Sequence, residues 1–476
     1  MSAPIITIEQ MRQWEQASWA AGKKEEEVIQ RVGAAAARAL AGLTRKRARV
    51  LILAGKGNNG ADARAVAAHL KDRDCRAIEA ADPEAALGRL QQELAAGADW
   101  IVDGLFGIGL NRPLGAEWQE LIRVVNAAKA PVLALDTPSG LHADTGQAMG
   151  EAVHAAITLT VGAPKLGLVQ PAAWPHTGRL LVVSDIGLVP CPIQSPRQWT
   201  LPEDFADFPP ARPIWGHKGH FGHAVILAGS AGYHGAAVLA ARAAQRARPG
   251  LITLFTAPET YVPAAAQLQA VMVRSWPKKP VWPERASAFL CGPGLAAIGP
   301  DRPMAEAARK LWMEADAPVV ADASALDWLP EGAPRSEALR VITPHPGEAA
   351  RMLGTSASEV QADREAALRK LSAKFGGCWV VLKGWQTLVG RGTGPVWWNG
   401  TGSSDLAQGG SGDVLAGFLV GLLANPIHRQ DPAAAIRYAV WEHGAAADRL
   451  SRRRPNWAVE DLAGELGRGG GRRPRF

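Results

Sequence analysis

Arg49–Val50–Leu51–Ile52–Leu53–Ala54, followed at once by Gly55–Lys56–Gly57–Asn58–Asn59–Gly60–Ala61–Asp62, decides the fold class of this chain. An unbroken apolar run leaves no face for water, so it reads as a strand covered on both sides, as in a parallel sheet. The glycines then turn the backbone, and a helix is expected from about Asp62 to Leu70. The same grammar recurs on either side. An alanine-rich helical stretch, Gly33–Leu43, comes before. Trp100–Ile101–Val102–Asp103, Pro131–Val132–Leu133–Ala134–Leu135–Asp136 and Ala156–Val161 come after as strands. Apolar strands alternating with helices indicate an α/β fold with a doubly wound parallel sheet. Such sheets bind ligands outside the carboxyl ends of their strands, which is where the polar residues of this block fall.

Beyond it, Leu188–Arg212 is rich in proline (Pro190, Pro192, Pro196, Pro202, Pro209, Pro210) and has no periodicity, which marks a passage between domains. The pattern restarts with Ala224–Val225–Ile226–Leu227–Ala228. Further strands are expected at Leu251–Phe255, Ala288–Leu290, Val319–Ala321, Val341–Ile342 and Trp379–Leu382, with a helix over Asp413–Leu423. The expected organisation is therefore a first α/β domain over 1–195, a linker over 196–210, a second α/β domain over 211–466 and a basic tail over 467–476. The length of 476 residues agrees with a few domains of about 150 residues each.

Composition narrows the function classes. Hydrophobic residues at 47% and charged residues at 20% supply a normal core, which excludes whole-chain disorder. The 51 glycines and 34 prolines mark turns rather than a repeat. The longest apolar run, Leu415–Ala424, is too short to span a bilayer, and Met1–Gln10 lacks a signal-peptide pattern, so a cytoplasmic location is expected. Cys75, Cys191, Cys291 and Cys378 form no C-x-x-C pair and suggest neither zinc nor a disulfide framework. Much of the net charge of +7 sits in Arg452, Arg453, Arg454, Arg472, Arg473 and Arg475 near the end of the chain. It reads as a solvated terminus, because no basic stripe with interleaved aromatics accompanies it; no nucleic-acid or membrane partner is expected.

The chemistry of the first block lies in its strand ends. Gly55–Asp62 presents backbone N–H groups at a helix start, a place for an anion. Asp103 and Asp136 end two strands of one sheet, in Asp103–Gly104–Leu105–Phe106–Gly107–Ile108–Gly109–Leu110 and Asp136–Thr137–Pro138–Ser139–Gly140–Leu141. Two carboxylates beside an Asn and a Ser suit a hard cation, and a carboxylate beside an anion cradle can otherwise move a proton. Together the three motifs, G-x-G-N-N-G-x-D, D-x-L-F-G-x-G-L and D-x-P-S-G-L, resemble the NAD(P)H-hydrate epimerases, the YjeF N-terminal domain, over about residues 1–190. The resemblance implies a Rossmann-like three-layer fold and interconversion of the R and S hydrates of NADH and NADPH. It implies K⁺ bound by Asn59, Asp103 and Ser139. It also implies contacts to the hydrate from Asn58, Asn59, Gly60, Ala61 and Asp62, from Gly107, Ile108, Gly109, Leu110, Asn111, Arg112 and Pro113, and from Asp136, the expected catalytic proton carrier. Where that family reads N-N-G-G-D-G, this chain has Ala61 and Ala63.

The second block carries Ala407–Gln408–Gly409–Gly410–Ser411–Gly412–Asp413–Val414–Leu415–Ala416–Gly417. A glycine turn opening an apolar helix offers the N–H groups of Gly410, Ser411 and Gly412 as an anion hole, and places Asp413 in the first turn as base for a hydroxyl nucleophile. Lys383–Gly384–Trp385–Gln386–Thr387, Thr343–Pro344–His345–Pro346–Gly347–Glu348, Gly292–Pro293–Gly294–Leu295, Asp322–Ala323–Ser324–Ala325–Leu326 and Gly229–Ser230–Ala231–Gly232–Tyr233–His234–Gly235–Ala236 end other strands. Taken in their order along the chain, from Gly229–Ala236 to Ala407–Gly417, they resemble the ADP-dependent NAD(P)H-hydrate dehydratases, the YjeF C-terminal domain, over about residues 210–465. The resemblance implies a ribokinase-like fold and ADP-driven dehydration of the S hydrate to NAD(P)H, AMP and phosphate. It implies nucleotide binding by Lys383, Gly384, Trp385, Gln386, Thr387 and Gly412, and hydrate contacts from Ala236, Gly294, His345 and Asp413, the last catalytic. Mg²⁺ is expected beside the co-substrate ADP.

A chain with both blocks is expected to be a bifunctional nicotinamide-nucleotide repair enzyme acting on small molecules and assembling with copies of itself. The glycine–Asp motif alone also fits a ribokinase-like small-molecule kinase carrying a non-catalytic first domain.

Overall fold

The computed structural model describes residues 2–277, 280–299 and 302–468. Arg472, Arg473 and Arg475 of the expected basic tail lie outside the described residues. The chain divides into two compact units, one over Ala3–Arg197 and one from Gln198 onward together with Ser2.

The first unit opens with the short strand β1 (Ala3–Pro4) and builds its sheet from β2 (Arg49–Ala54), β3 (Asp74–Glu79), β4 (Trp100–Gly104), β5 (Val132–Leu135), β6 (Ile157–Val161) and β7 (Arg179–Val183). Their order is β3-β2-β4-β5-β6-β7, all parallel. Side chains alternate across the sheet. Leu51 and Leu53 of β2 join the core made with Ala86, Leu90, Leu121 and Val125 on one face. Val50, Ile52 and Ala54 join the core made with Ala36, Leu40, Ala63 and Val66 on the other. Burial on both faces is why β2 has no polar alternation. The edge strand β3 (Asp-Cys-Arg-Ala-Ile-Glu) is half exposed, and its charges hid it from a search for apolar runs.

Helix boundaries move in instructive ways. The alanine-rich helix runs Glu25–Leu43, extended by Glu25, Glu26 and Glu27, acidic residues that suit a helix N-terminus. The helix after β2 is Asn58–His69, so both asparagines lie in its first turn rather than in the loop. Ala61 and Ala63 sit in this helix with ordinary negative φ, and the Ala63 methyl packs against Gly104. The helix Ile8–Ala20, capped reciprocally by Thr7 and Gln10, was not anticipated.

The second unit runs β8 (Arg197–Trp199), β9 (His223–Leu227), β10 (Leu251–Thr256), β11 (Met272–Ser275), β12 (Ala288–Cys291), β13 (Val319–Ala321), β14 (Arg340–Ile342), β15 (Trp379–Leu382), β16 (Leu388–Gly390) and β17 (Val396–Trp398). Among the strands of this unit the sheet order is β11-β10-β9-β12-β13-β14-β15-β16-β17-β8; β9 to β15 pair in parallel, and β16 pairs antiparallel with both β15 and β17. Residues 196–210, expected as a linker, are built into this unit from Gln198 on: they carry β8 and the turn Pro202–Phe205, whose Phe205 ring packs edge-on against Tyr438. The helix Ser411–Ala424 is buried on nearly every side, which explains a sequence without a polar stripe. It lies so close to the helix His234–Arg246 that a Cβ on Gly417 would stand 2.1 Å from the Ala240 carbonyl oxygen. All four cysteines are free thiols. Among the described residues no helix is long and apolar enough to cross a membrane.

Two candidate active sites

In the first unit the strand order reverses between β2 and β4, the switch point at which doubly wound sheets open a crevice. A cavity of about 780 Å³ opens there. It is lined by Asn58, Asn59, Asp62, Gly107, Ile108, Gly109, Leu110, Asn111, Arg112 and Asp136. Gly60, Ala61 and Pro113, expected beside them, do not line it. Gly60 instead packs the helix onto the preceding turn: a Cβ there would meet the Gly55 carbonyl oxygen at 1.9 Å.

Asp136 sits at φ +61, a left-handed conformation that an Asp tolerates better than most residues. There its Oδ1 accepts from the Val161 N–H at 3.1 Å and pairs with Lys165 Nζ. Lys165 is wholly buried and also donates to the Val161 carbonyl at 2.8 Å. Oδ2 faces the Gly107 backbone across the cavity, 3.8 Å from where a Cβ on Gly107 would stand. A second carboxyl lines the same space. Burial, then the neighbouring carboxylates of Asp136, Glu15 and Glu25, push Asp62 up to about 8 against the pull of Lys165. At neutral pH Asp62 is therefore an acid with a proton to give, beside a carboxylate already paired with a cation.

Asn59, Asp103 and Ser139, expected to hold K⁺, are brought together. Ser139 Oγ donates to Asp103 Oδ1 at 2.6 Å, and its N–H donates to Oδ2 at 2.8 Å. The Phe106 N–H donates to Ser139 Oγ, while Asn59 Nδ2 donates to the Phe106 carbonyl. Burial pushes Asp103 up to about 6 despite these donors. Among the described residues the buried Asn59 Oδ1 has no hydrogen-bond partner. A buried carbonyl oxygen without a donor, next to a carboxylate short of countercharge, fits an oxygen-seeking cation.

Helix Ile8–Ala20 adds Met11, Arg12, Glu15 and Trp19 to the cavity wall. Sequence reasoning missed these residues because the helix carries no motif. It also gave no role to Lys165, although an ammonium just past the end of β6, in a Gly–Ala–Pro–Lys turn, was the available signal.

In the second unit the strand ends meet around Lys383. Its Nζ donates to Asp322 Oδ1 at 2.8 Å and stands 3.7 Å from Glu348 Oε2. Thr343 Oγ1 donates to the same Asp322 oxygen. Burial works against the Lys383 charge, but Asp322, Glu348 and Asp413 outweigh it and raise its pKa, so it remains an ammonium. Asp413 lies in the first turn of the helix Ser411–Ala424. Burial, then Asp322 and Glu348, push it up to about 7, with Lys383 pulling the other way. Gly412 places its backbone over this cluster, since a Cβ there would stand 3.3 Å from Lys383 Nζ.

The turn Gly384–Thr387 is shaped by backbone conformations of φ +130 at Gly384 and +53 at Gln386. The buried Arg364 guanidinium holds it by donating to the carbonyls of Leu382, Lys383, Trp385 and Gln386. His345 Nδ1 accepts from the Gly347 and Glu348 N–H groups, and the His345 backbone N–H donates to Glu348 Oε2. His345 therefore orients Glu348 as well as capping a helix. Ala236 and Gly294 touch each other near the ends of β9 and β12, the switch point of this sheet. The expected anion hole needs one correction: the Ser411 N–H turns back to the Gln408 carbonyl at 3.2 Å, so it does not face a ligand. Asp322, Glu348, Thr343 and Arg364 were not assigned from sequence; the first three stand at strand ends or just past them, as the assigned residues do.

Comparison with known proteins follows the same division. The family model described as YjeF-related protein N-terminus matches residues 25–96 and 77–167, and that of NAD(P)H-hydrate dehydratase matches 224–466. The bifunctional NAD(P)H-hydrate repair enzyme of Gloeobacter violaceus is 36% identical, covering 94% of this chain and 94% of its own. The enzyme of the same description from Coxiella burnetii is 34% identical over 93% of this chain and 94% of its own. The crystal structure of ADP/ATP-dependent NAD(P)H-hydrate dehydratase from Bacillus subtilis, co-crystallised with ATP/Mg²⁺, matches 57% of this chain and 96% of its own at 31% identity, with a TM-score of 0.52. A doubly wound parallel α/β unit followed by an α/β unit with the fold of the NAD(P)H-hydrate dehydratases is thus the fold class present. With both units matched in order over nearly its whole length, the chain belongs to the family of bifunctional NAD(P)H-hydrate repair enzymes.

Proposed function

We propose that the chain repairs hydrated NADH and NADPH in two steps: the first unit interconverts the R and S epimers, and the second dehydrates the S form at the expense of ADP, releasing AMP and phosphate. The observation that carries this reading is Asp413, a carboxyl tuned close to neutrality at a helix N-terminus, facing an ammonium held by two further carboxylates.

In the second unit Asp413 takes the proton of the substrate hydroxyl, and the oxygen attacks the terminal phosphoryl group of ADP. Hydroxide is a poor leaving group; phosphate is a good one. The lone pair of the ring nitrogen then expels phosphate, and the adjacent carbon loses a proton to give the dihydropyridine. Lys383 and the N–H groups around Gly412 meet the negative charge of the transferring group. The hard oxygens of Asp322 and Glu348 suit Mg²⁺ carried on the nucleotide, where it would neutralise phosphate charge. Arg364 keeps the Lys383–Thr387 turn in shape without touching substrate.

In the first unit the same ring nitrogen opens the carbon–oxygen bond. Asp62 gives a proton to the departing oxygen, which leaves as water. Asp136 takes a proton from the water that adds to the opposite face. K⁺ held by Asn59, Asp103 and Ser139 would fix the loop over Phe106 and Gly107 and favour oxygen ligands of the substrate.

The test is incubation of the purified chain with mixed hydrates and ADP, following both epimers and NADH absorbance. Both epimers should disappear, with one AMP formed per NADH. Asp413→Ala should stop dehydration and leave epimerisation running. A phosphorylated product that accumulates without NADH would instead make the second unit a kinase.

A further inference from the structure

Gly55, Gly57 and Gly60 have the spacing G-x-G-x-x-G, placed between a strand and a helix, and they have three different surroundings. A Cβ on Gly55 would meet the Leu105 carbonyl oxygen at 2.1 Å, and one on Gly60 would meet the Gly55 carbonyl oxygen at 1.9 Å. A Cβ on Gly57 would meet no atom of the described residues within 4 Å, and Gly57 lines the cavity. The first glycine thus makes the turn, the third packs helix on strand, and the second leaves its backbone open to a ligand; this is the division of labour in dinucleotide-binding turns. In that arrangement an acidic residue ending the next strand receives the adenosine ribose.

The next strand here is β3, and its last residue, Glu79, lies opposite Ala54 in the sheet register, one residue before the turn. Ala80, Ala81 and Pro83, just beyond it, line the same cavity that reaches Asp136. Glu79 is not alone. Arg64, on the helix Asn58–His69, grips it with both arms: Nη2 to Oε2 at 2.6 Å and Nε to Oε1 at 3.1 Å. The same Nη2 donates to the Gly55 carbonyl at 3.0 Å. The pair stands at the open edge of the sheet, beside the cavity rather than in its lining, with side chains 43% and 59% exposed, so it is held weakly and is open to solvent.

We propose that Arg64 and Glu79 form the ribose subsite of the first unit and let it accept both hydrates. With the NADH hydrate, Glu79 accepts from the ribose hydroxyls. With the NADPH hydrate, the 2′-phosphate repels Glu79 and takes the Arg64 guanidinium in its place. A bidentate arginine suits a phosphate as well as it suits a carboxylate, so the exchange keeps its hydrogen bonds. The proposal rests on the epimerase reading for the identity of the ligand, but on the glycine turn and β3 for the place.

The experiment uses the full chain and the variants Arg64→Ala and Glu79→Gln, both at exposed positions. Epimerisation is followed with NADH hydrate and NADPH hydrate in separate assays, and binding of NAD⁺ and NADP⁺ is followed by tryptophan fluorescence, since Trp19 and Trp118 line the cavity. Arg64→Ala should raise KM and Kd for the phosphorylated form about tenfold relative to the other, the loss of one charge-assisted pair. Glu79→Gln should move the ratio the opposite way. Equal effects on both forms, or none, in the binding measurement overturn the subsite and leave Arg64–Glu79 a surface ion pair. If the wild type epimerises neither hydrate while the binding ratio still moves, the subsite stands and the epimerase reading falls.

Discussion

Asp413→Asn removes an ionisable group and keeps its size, so it tests the electrostatics of the second site apart from its packing. The carboxyl ionises near 3.8 in an unfolded chain and at about 7 in the folded one. A gap of about three pH units is worth about 4 kcal/mol, at 1.36 kcal/mol per unit. The sign follows from proton binding. The folded chain holds the proton to higher pH than the unfolded chain, so the stability is complete below the unfolded value. It is lost as pH rises through the folded one. Between about pH 5.5 and pH 8 the wild type should give up about 2 kcal/mol that the Asn variant keeps. In a unit of this size that is about 5 °C in the melting temperature. The assay is thermal unfolding of both proteins without nucleotide, in matched low-salt buffers across that range, reading the transition of the second unit. The difference in Tm should be small at the acid end and should widen in favour of the variant at the alkaline end. Dehydration should be lost at every pH. A Tm difference that stays flat with pH, or an Asn variant less stable than wild type at pH 8, would refute the claim that Asp413 is ionised at a cost among Asp322 and Glu348. Retained turnover would remove it from the mechanism.

In the wild type, kcat/KM for dehydration should climb with pH through about 7 and then level, because a general base must first lose its proton; a profile already flat from pH 5.5 excludes Asp413 as that base. Asp136→Ala should abolish epimerisation and leave dehydration of pure S hydrate in place, measured on each epimer separately. Lys165→Met leaves the Asp136 carboxylate, 13% exposed to the cavity, without its cation and should cost about 3 kcal/mol in the first unit, the low end for a buried pair. Adding Asp136→Leu to it should recover part of that loss, which denaturant titration of the two variants reads directly. Gly417→Ala drives a methyl into the Ala240 carbonyl, and a loss of about 1–3 kcal/mol confined to the second unit is expected by the same titration.

The sequence displayed the sites better than the walls around them. Strand-end Asp103, Asp136 and the glycine–Asp413 turn were legible because a buried parallel strand is an unbroken apolar run, and the first polar residue after it stands out. β3 was not legible, since an edge strand wears charges on its exposed side. Nor was the helix Ile8–Ala20, which contributes Glu15 and Trp19 to the cavity through position alone. Arg364 is the plainest case: nothing in Asp363–Arg364–Glu365 announces a buried guanidinium, and only the fold brings it to the carbonyls of the Lys383–Thr387 turn.

The two aspartates expected to do the chemistry end up in opposite electrostatic settings, and the difference matches the two tasks. Asp136 has a buried ammonium of its own, Lys165, and its proton-bearing counterpart is a separate carboxyl, Asp62, at about 8. An epimerisation that runs both ways needs a donor and an acceptor at once, and splitting the roles between two groups supplies both. Asp413 has no ammonium to itself. Lys383 is shared with Asp322 and Glu348, and the balance leaves Asp413 near 7. A base that must take one proton and then let it go as phosphate leaves gains from sitting close to ambient pH. Swapping the settings should therefore exchange the defects. Removing a competitor for Lys383 with Asp322→Asn should lower the Asp413 pKa, move the acid limb of the dehydration profile below about pH 7 and reduce the maximal rate. An unchanged limb would show that Asp322 does not act on Asp413 through the shared lysine.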